Sequence, residues 1–320
     1  MFSMLFDQSG AVVARAPDTS LLSQRGNGNW VWLDLDGADR AAEQALLVAT
    51  LGFDALGVAD ALRARHPPKF ESFEDHFLLL LKEFSDDLSE LDEPPVVQTA
   101  IFVAADLVVS RHPAPSPGVQ STLARIEAGE RIQGNVAMAY RLARELLDDI
   151  EPRLLAVEER LDRIEAQILT AGDDELLAET VALHTALRRV SRIFGYYPHV
   201  FGQLLGALPG HAGEASEHEV RDLIDHSERY ASLSRLYLET AGDLINGYIS
   251  ISGHRLNQIM RVLTISTVVF LPLGLLTGIF GMNFAYIPGL EWRGAYFMLL
   301  GSMALITIGL LWFFRRRKWL

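Results

Sequence analysis

No cysteine occurs among the 320 residues. Disulfides and thiolate metal sites are thereby excluded, and the redox compartment is left open. The chain also lacks a Walker lysine loop, a dinucleotide glycine pattern and a nucleophile elbow, so ATP-driven pumping by this chain has no support. Met1 to Asp7 shows neither a basic leader nor a long apolar core, and no signal peptide is expected. No internal repeat or low-complexity tract is found.

Charge is missing in two places near the C-terminus. Val262 to Phe280 and Ala295 to Phe314 carry no acid or base. Each approaches the ~20 residues that cross a ~30 Å hydrocarbon layer as a helix. A hairpin of two spans in a lipid bilayer is predicted, with residues 295–314 as the second span. Of 41 acids and 28 bases, only Glu291 and five bases follow residue 261, so residues 1–261 carry 40 acids and 23 bases, a net −17. Such a surface repels nucleic acid and anionic headgroups and attracts cations; no nucleic-acid partner is expected. Arg255, Arg261 and the Arg315 to Lys318 cluster flank the outer ends of the hairpin, whereas the loop between the spans holds only Arg293. By the positive-inside rule both termini are cytoplasmic, and the chain is a multi-pass protein of the cytoplasmic membrane.

Residues 1–115 read as a mixed α/β domain. Trp30 to Leu35 alternates like a strand and turns at Asp36-Gly37. Ala41 to Leu51 reads as a helix closed by Gly52, and Asp54 to Arg65 as another, stopped at His66-Pro67-Pro68. Phe77 to Phe84 fits a buried strand or a buried helix turn. Val96 to Val103 and Leu107 to Arg111 suggest a hairpin, and Pro113, Pro115 and Pro117 mark a linker. Residues 116–216 read as helical. Gln133 to Thr170 has heptad-like apolar spacing, and Leu176 to Leu208 follows, with a bend expected at Pro198. Residues 217–280 form one long helix if continuous, a stalk of roughly 95 Å that runs into the first span. Residues 281–294 make the external loop and 315–320 a basic cytoplasmic tail. The fold class is an α+β cytoplasmic domain, a long stalk helix and two C-terminal transmembrane helices.

A hairpin without intramembrane charge reads most simply as an anchor. Against that, Asn257, Met260, Leu263, Thr267, Leu271, Gly274 and Gly278 recur every three or four residues on one helical stripe. The stripe mixes small, polar and apolar types. Helix–helix packing in the bilayer accounts for Gly274 and Gly278 equally well. Periodicity alone leaves both readings open.

Gly281-Met282-Asn283, followed by Phe284, lies at the outer end of the first span. It resembles the signature of the CorA superfamily of divalent-cation channels and transporters. The likeness extends to Met260-Arg261-Val262-Leu263-Thr264-Ile265, Phe270-Leu271-Pro272-Leu273, Thr277-Gly278-Ile279-Phe280, the Ile287 to Trp292 loop and Lys318-Trp319-Leu320. Arg65 to Glu71 and Lys82-Glu83-Phe84 are similar to the family's N-terminal domain. The resemblance implies a funnel-shaped homopentamer, with five first spans lining a pore and five second spans around them. Gly281, Met282 and Asn283 would then form the selectivity ring at the ion entrance. Mg²⁺ gives up water reluctantly, and neutral oxygens can accept hydrogen bonds from its hydration shell. Met260 and Leu263 would form a hydrophobic constriction and Asn257 a polar ring below it. Glu291 would concentrate cations at the mouth, or simply sit exposed beside an interface tryptophan.

Acidic clusters occur at Asp86-Asp87, Asp148-Asp149 and Asp173 to Glu175, among others, and most such runs are solvated faces. The family likeness favours Asp86 or Asp87 as a regulatory cation site between subunits. The stalk position expected to supply the partner carboxylate falls on Asn246, a weaker ligand for a hard cation, so sensing is weaker, displaced to Asp243, or absent. His211, His218 and His226 with Glu214 and Glu217 lack a standard zinc spacing. The resulting expectation is a non-enzymatic divalent metal-ion channel without a cofactor, for Mg²⁺ and also Co²⁺ or Ni²⁺, driven by membrane potential. The alternatives are a ZntB-like Zn²⁺ transporter, proton-coupled or not, and a non-conducting membrane-tethered sensor or scaffold.

Overall fold

Seven apolar or alternating segments pair into one sheet: β1 (Phe2–Phe6), β2 (Val12–Ala16), β3 (Trp30–Leu35), β4 (Lys69–Ser72), β5 (His76–Phe84), β6 (Val96–Ala104) and β7 (Leu107–Arg111). Their order is β2-β1-β3-β7-β6-β5-β4. Only β3 and β7 run parallel; the other neighbours are antiparallel. This computed structural model describes residues 1–63, 66–84, 96–168, 174–207, 215–283, 292 and 294–319. The chain divides into two units, Met1–Ile245 and Asn246–Leu320.

In the first unit, α1 (Arg40–Ala45) is capped by Asp39, whose carboxylate accepts from Ala41 and Ala42 N–H. It relaxes into a π turn at Leu46–Thr50, so the helix expected over 41–51 is two pieces, and Gly52 closes them at φ +80°. The second expected helix is shorter than its apolar pattern suggested: α2 covers Ala55–Ala61. Leu47, Phe53 and Val58 cover Val31, Leu33, Leu78, Leu80, Phe102 and Val109 on one face of the sheet. Alternate residues such as Leu79, Ile101, Val103 and Val108 are equally buried. A strand buried on both faces reads as a continuous apolar run, and that is why 77–84 resembled a buried helix turn.

The proline-rich stretch is a helix start. Ser116 accepts from Val119 N–H, and Pro117 opens α3 (Pro117–Glu127). The pattern over 133–170 divides into α4 (Asn135–Asp148) and α5 (Ile150–Ile168). That over 176–208 divides into α6 (Asp174–Phe194) and α7 (Tyr197–Ala207), with the break at Gly195-Tyr196 and Pro198 inside the first turn of α7, where proline is tolerated.

The longest element is α8 (Ala215–Phe280), a helix of 66 residues. Its buried residues in the first unit include Val220, Leu223, Ser227, Tyr230, Ser234, Tyr237 and Ala241, spaced alternately by three and four, with Ala231 beside Tyr230. The buried residues of α5 (Ile150, Leu154, Val157, Leu161, Ile164, Ile168) follow the same rhythm. Tyr230 and Tyr237 tie these two seams through Glu151 and Glu158. The second unit contains the end of α8 and α9 (Ala295–Arg316), both long and apolar enough to cross a membrane.

Candidate functional site

In the second unit α8 presents two different faces. Ile265, Val269, Leu273 and Leu276 are shielded within the chain, spaced by three and four. On α9 the shielded set is Leu299, Met303, Ile306, Leu310 and Phe314, on one stripe in the same way. Trp319 stacks on Phe314 with centroids 5.7 Å apart, and the Arg261 guanidinium lies 6.0 Å from the Trp319 ring centroid. That contact places the start of the first apolar stretch beside the chain's last residues, as an antiparallel hairpin requires.

All seven stripe residues, Asn257, Met260, Leu263, Thr267, Leu271, Gly274 and Gly278, are exposed in the single chain. Met260 is 52% exposed, Leu263 58% and Leu271 71%, so this apolar face has no cover within its own chain. A Cβ built on Gly274 or Gly278 would meet nothing within 4 Å. Their small size therefore serves no packing inside the chain. Phe270 and Leu275, which the stripe omitted, join Thr267, Leu271 and Gly274 around one shallow apolar groove. No sequence signal separated those two from ordinary span residues.

The polar groups of this stretch are partly spoken for. Thr264 Oγ1 donates to the Met260 carbonyl at 2.7 Å, and Thr267 Oγ1 to the Leu263 carbonyl at 2.9 Å. Thr277 Oγ1 donates to Leu273 at 3.1 Å. Pro272 sits inside the helix and brings no N–H to the turn before it. The helix ends at Phe280. Gly281 N–H closes the last turn on the Thr277 carbonyl at 2.8 Å, and a Cβ there would lie 2.9 Å from that same oxygen. Met282 and Asn283 follow, both exposed.

Asp86, Asp87 and Glu291 lie outside the described residues. Asp243 and Asn246 are exposed on α8. Among the described residues no group of three histidine or carboxylate side chains is arranged to hold a metal ion. His211 and Glu214 also lie outside them, while His226 sits between Asp148 (3.5 Å) and Asp222 (3.6 Å) in the contact of α4 with α8.

Comparison with known proteins points one way. Residues 27–316 match the family described as CorA-like Mg2+ transporter protein. YfjQ of Bacillus subtilis is 27% identical over 294 residues, which is 91% of this chain and 90% of that one. The cobalt/magnesium transport protein CorA of Thermotoga maritima is 25% identical over 304 residues, covering 94% and 86%. The solved structure of the CorA magnesium transporter from Methanocaldococcus jannaschii superimposes with a TM-score of 0.82 at 19% identity, over 100% of this chain and 99% of that one, and so shares its fold. With a match across nearly its whole length, this chain belongs to the CorA-like family of divalent-cation transporters, membrane transport proteins and not enzymes.

Proposed function

We propose that five copies of this chain form a passive channel for hydrated Mg²⁺, passing Co²⁺ or Ni²⁺ as well, in the cytoplasmic membrane with both termini inside. The observation that carries it is the uncovered stripe of α8, from Asn257 to Gly278, capped by Gly281-Met282-Asn283. An apolar and small-residue face left open within a membrane hairpin needs a partner, and a ring of identical copies supplies one around a central path. Asn283 amides at the outer mouth accept hydrogen bonds from the ion's waters without holding the ion as carboxylates would. Met260 and Leu263 make a constriction that closes by dewetting. The inside-negative potential contributes about 4.6 kcal/mol per 100 mV for a +2 ion, so no chemical energy source is required. Asp243, with Asp86 or Asp87, is the candidate site at which intracellular cation closes the channel, and Glu291 the residue that gathers cations outside.

The deciding experiment is isotopic Mg²⁺ uptake into proteoliposomes under an imposed potential, with Asn283→Ala alongside. Potential-dependent uptake that the substitution abolishes is expected. Absence of uptake, or uptake indifferent to the substitution, overturns the proposal. Preference for Zn²⁺ that depends on a pH gradient would replace it with a proton-coupled zinc transporter.

A further inference from the structure

Positive charge collects at one end of the hairpin in the second unit. Arg315 and Arg316 close α9, Arg317 and Lys318 follow it, and Arg261 of α8 joins them through the Trp319 ring. All five side chains are solvent-exposed. Among the described residues none of the five has a carboxylate or carbonyl partner for its side chain. Residues 246–320 hold one acid, Glu291, against seven lysines and arginines, and Glu291 belongs to the loop at the other end of both apolar runs.

The dipole of α9 favours cations in its last turn, which accounts for Arg315 and Arg316. It does not account for Lys318. There the backbone turns left-handed, at φ +57°, in a position that helices usually give to glycine. Trp319 N–H closes on the Phe314 carbonyl at 3.0 Å, Lys318 N–H on the Arg315 carbonyl at 3.1 Å, and the Trp319 ring stacks on Phe314. Glycine would make this turn without strain, so the turn alone does not call for a lysine. Rings hold two of the arginines in place. Arg316 lies 5.5 Å from the Trp312 centroid and Arg317 5.8 Å from that of Phe313, each one helical turn on. Stacking occupies the face of a guanidinium and leaves its N–H edge open to phosphate oxygens. Trp312 and Trp319 are themselves exposed, and tryptophan favours the level of lipid headgroups. Fixed cations, open N–H edges and interface rings thus stand together at the end of an apolar helix long enough to cross a membrane.

We propose that this helix end is a binding site for the phosphate headgroup of an anionic phospholipid. The site depends on the membrane hairpin and not on which ion is carried. Basic residues beside a span attract anionic lipid, each contributing about fivefold in affinity. The purified full chain, stripped of lipid in neutral detergent, is mixed with radiolabelled phosphatidylglycerol or, separately, phosphatidylcholine, and the label retained on the captured protein is counted over a concentration series. Preferential binding of phosphatidylglycerol is expected, weakening as salt rises from about 50 to about 200 mM. Lys318→Gly and Arg315→Gln should each cut that affinity by about fivefold, and together by about twenty-five-fold. Lys318→Gly should do so without lowering the thermal midpoint, because glycine takes the left-handed turn freely; lost binding is thereby separated from lost fold. Equal binding of the two lipids, a preference that both variants leave intact, or displacement of phosphatidylglycerol by an equal concentration of inorganic phosphate overturns the proposal.

Discussion

The phenol of Tyr237 on α8 donates to the Glu158 carboxylate on α5 across 2.7 Å. One heptad earlier Tyr230 does the same to Glu151 at 3.0 Å. Burial pushes both phenols up, and the acids they face push them further, so each remains a neutral donor. Tyr237→Phe should lower unfolding stability by about 1 kcal/mol, the usual net worth of one such bond. Urea unfolding of the two single phenylalanine variants and the double variant measures it. Midpoints equal to that of the parent would mean that the rings alone hold the seam.

Acid should stabilise the sheet domain through His112. Its Nε2 faces Asp34 Oδ2 at 3.3 Å and its Nδ1 faces the Ala114 carbonyl at 2.6 Å. Burial pulls its pKa down, but the bond and charge of Asp34, the Ala114 carbonyl and the Glu83 charge outweigh burial and leave it raised. A raised folded value contributes stability that is complete below the unfolded value of about 6.5 and is lost as pH climbs through the folded one. Thermal midpoints should therefore fall as the pH rises above about 6.5, and fall less in His112→Gln. Parallel curves for the two proteins would show that His112 is not the titrating group.

Gly118 is where α3 meets α4. A Cβ there would stand 2.8 Å from Leu146 Cγ and 2.8 Å from Leu146 N, and backbone cannot yield cheaply. Gly118→Ala should cost about 1–3 kcal/mol by overpacking, read as a lower unfolding midpoint with transport per folded molecule unchanged.

Gly274 gives the opposite pattern. Because a Cβ meets nothing within the chain, Gly274→Val should leave the soluble unit's thermal midpoint untouched. Transport should nonetheless drop by more than about fivefold if this face lines the proposed pore, since the added bulk lies on it. Normal flux in Gly274→Val would remove that face from the pathway.

Legibility in the sequence followed the chemistry of each element. The spans were plain because an uncharged run of that length has few other uses; α9 begins at Ala295 as expected and extends to Arg316. The strand at Trp30–Leu35 and the hairpin of β6 and β7 were plain for similar reasons. β1 and β2 passed unread, since Met1 to Ala16 offers only short segments, and β2 is largely exposed with Arg15 in its middle. The α8 seam was hidden by Ser227, Ser234 and Ala241, small residues that no search for apolar periodicity would pick up, though they are buried. The stripe from Asn257 to Gly278 could be drawn from spacing, but not its exposure, which depends on where α9 packs.

The Thr267 hydroxyl spends its hydrogen on the Leu263 carbonyl. What it turns outward is therefore lone pairs only. Water around a cation points its hydrogens away from the ion, whereas water around an anion points its oxygens away. A wall that offers acceptors and no donors welcomes the first shell and is mismatched to the second. In the proposed pathway, Thr267 would thus sort ions by the sign of their charge without carrying any charge itself.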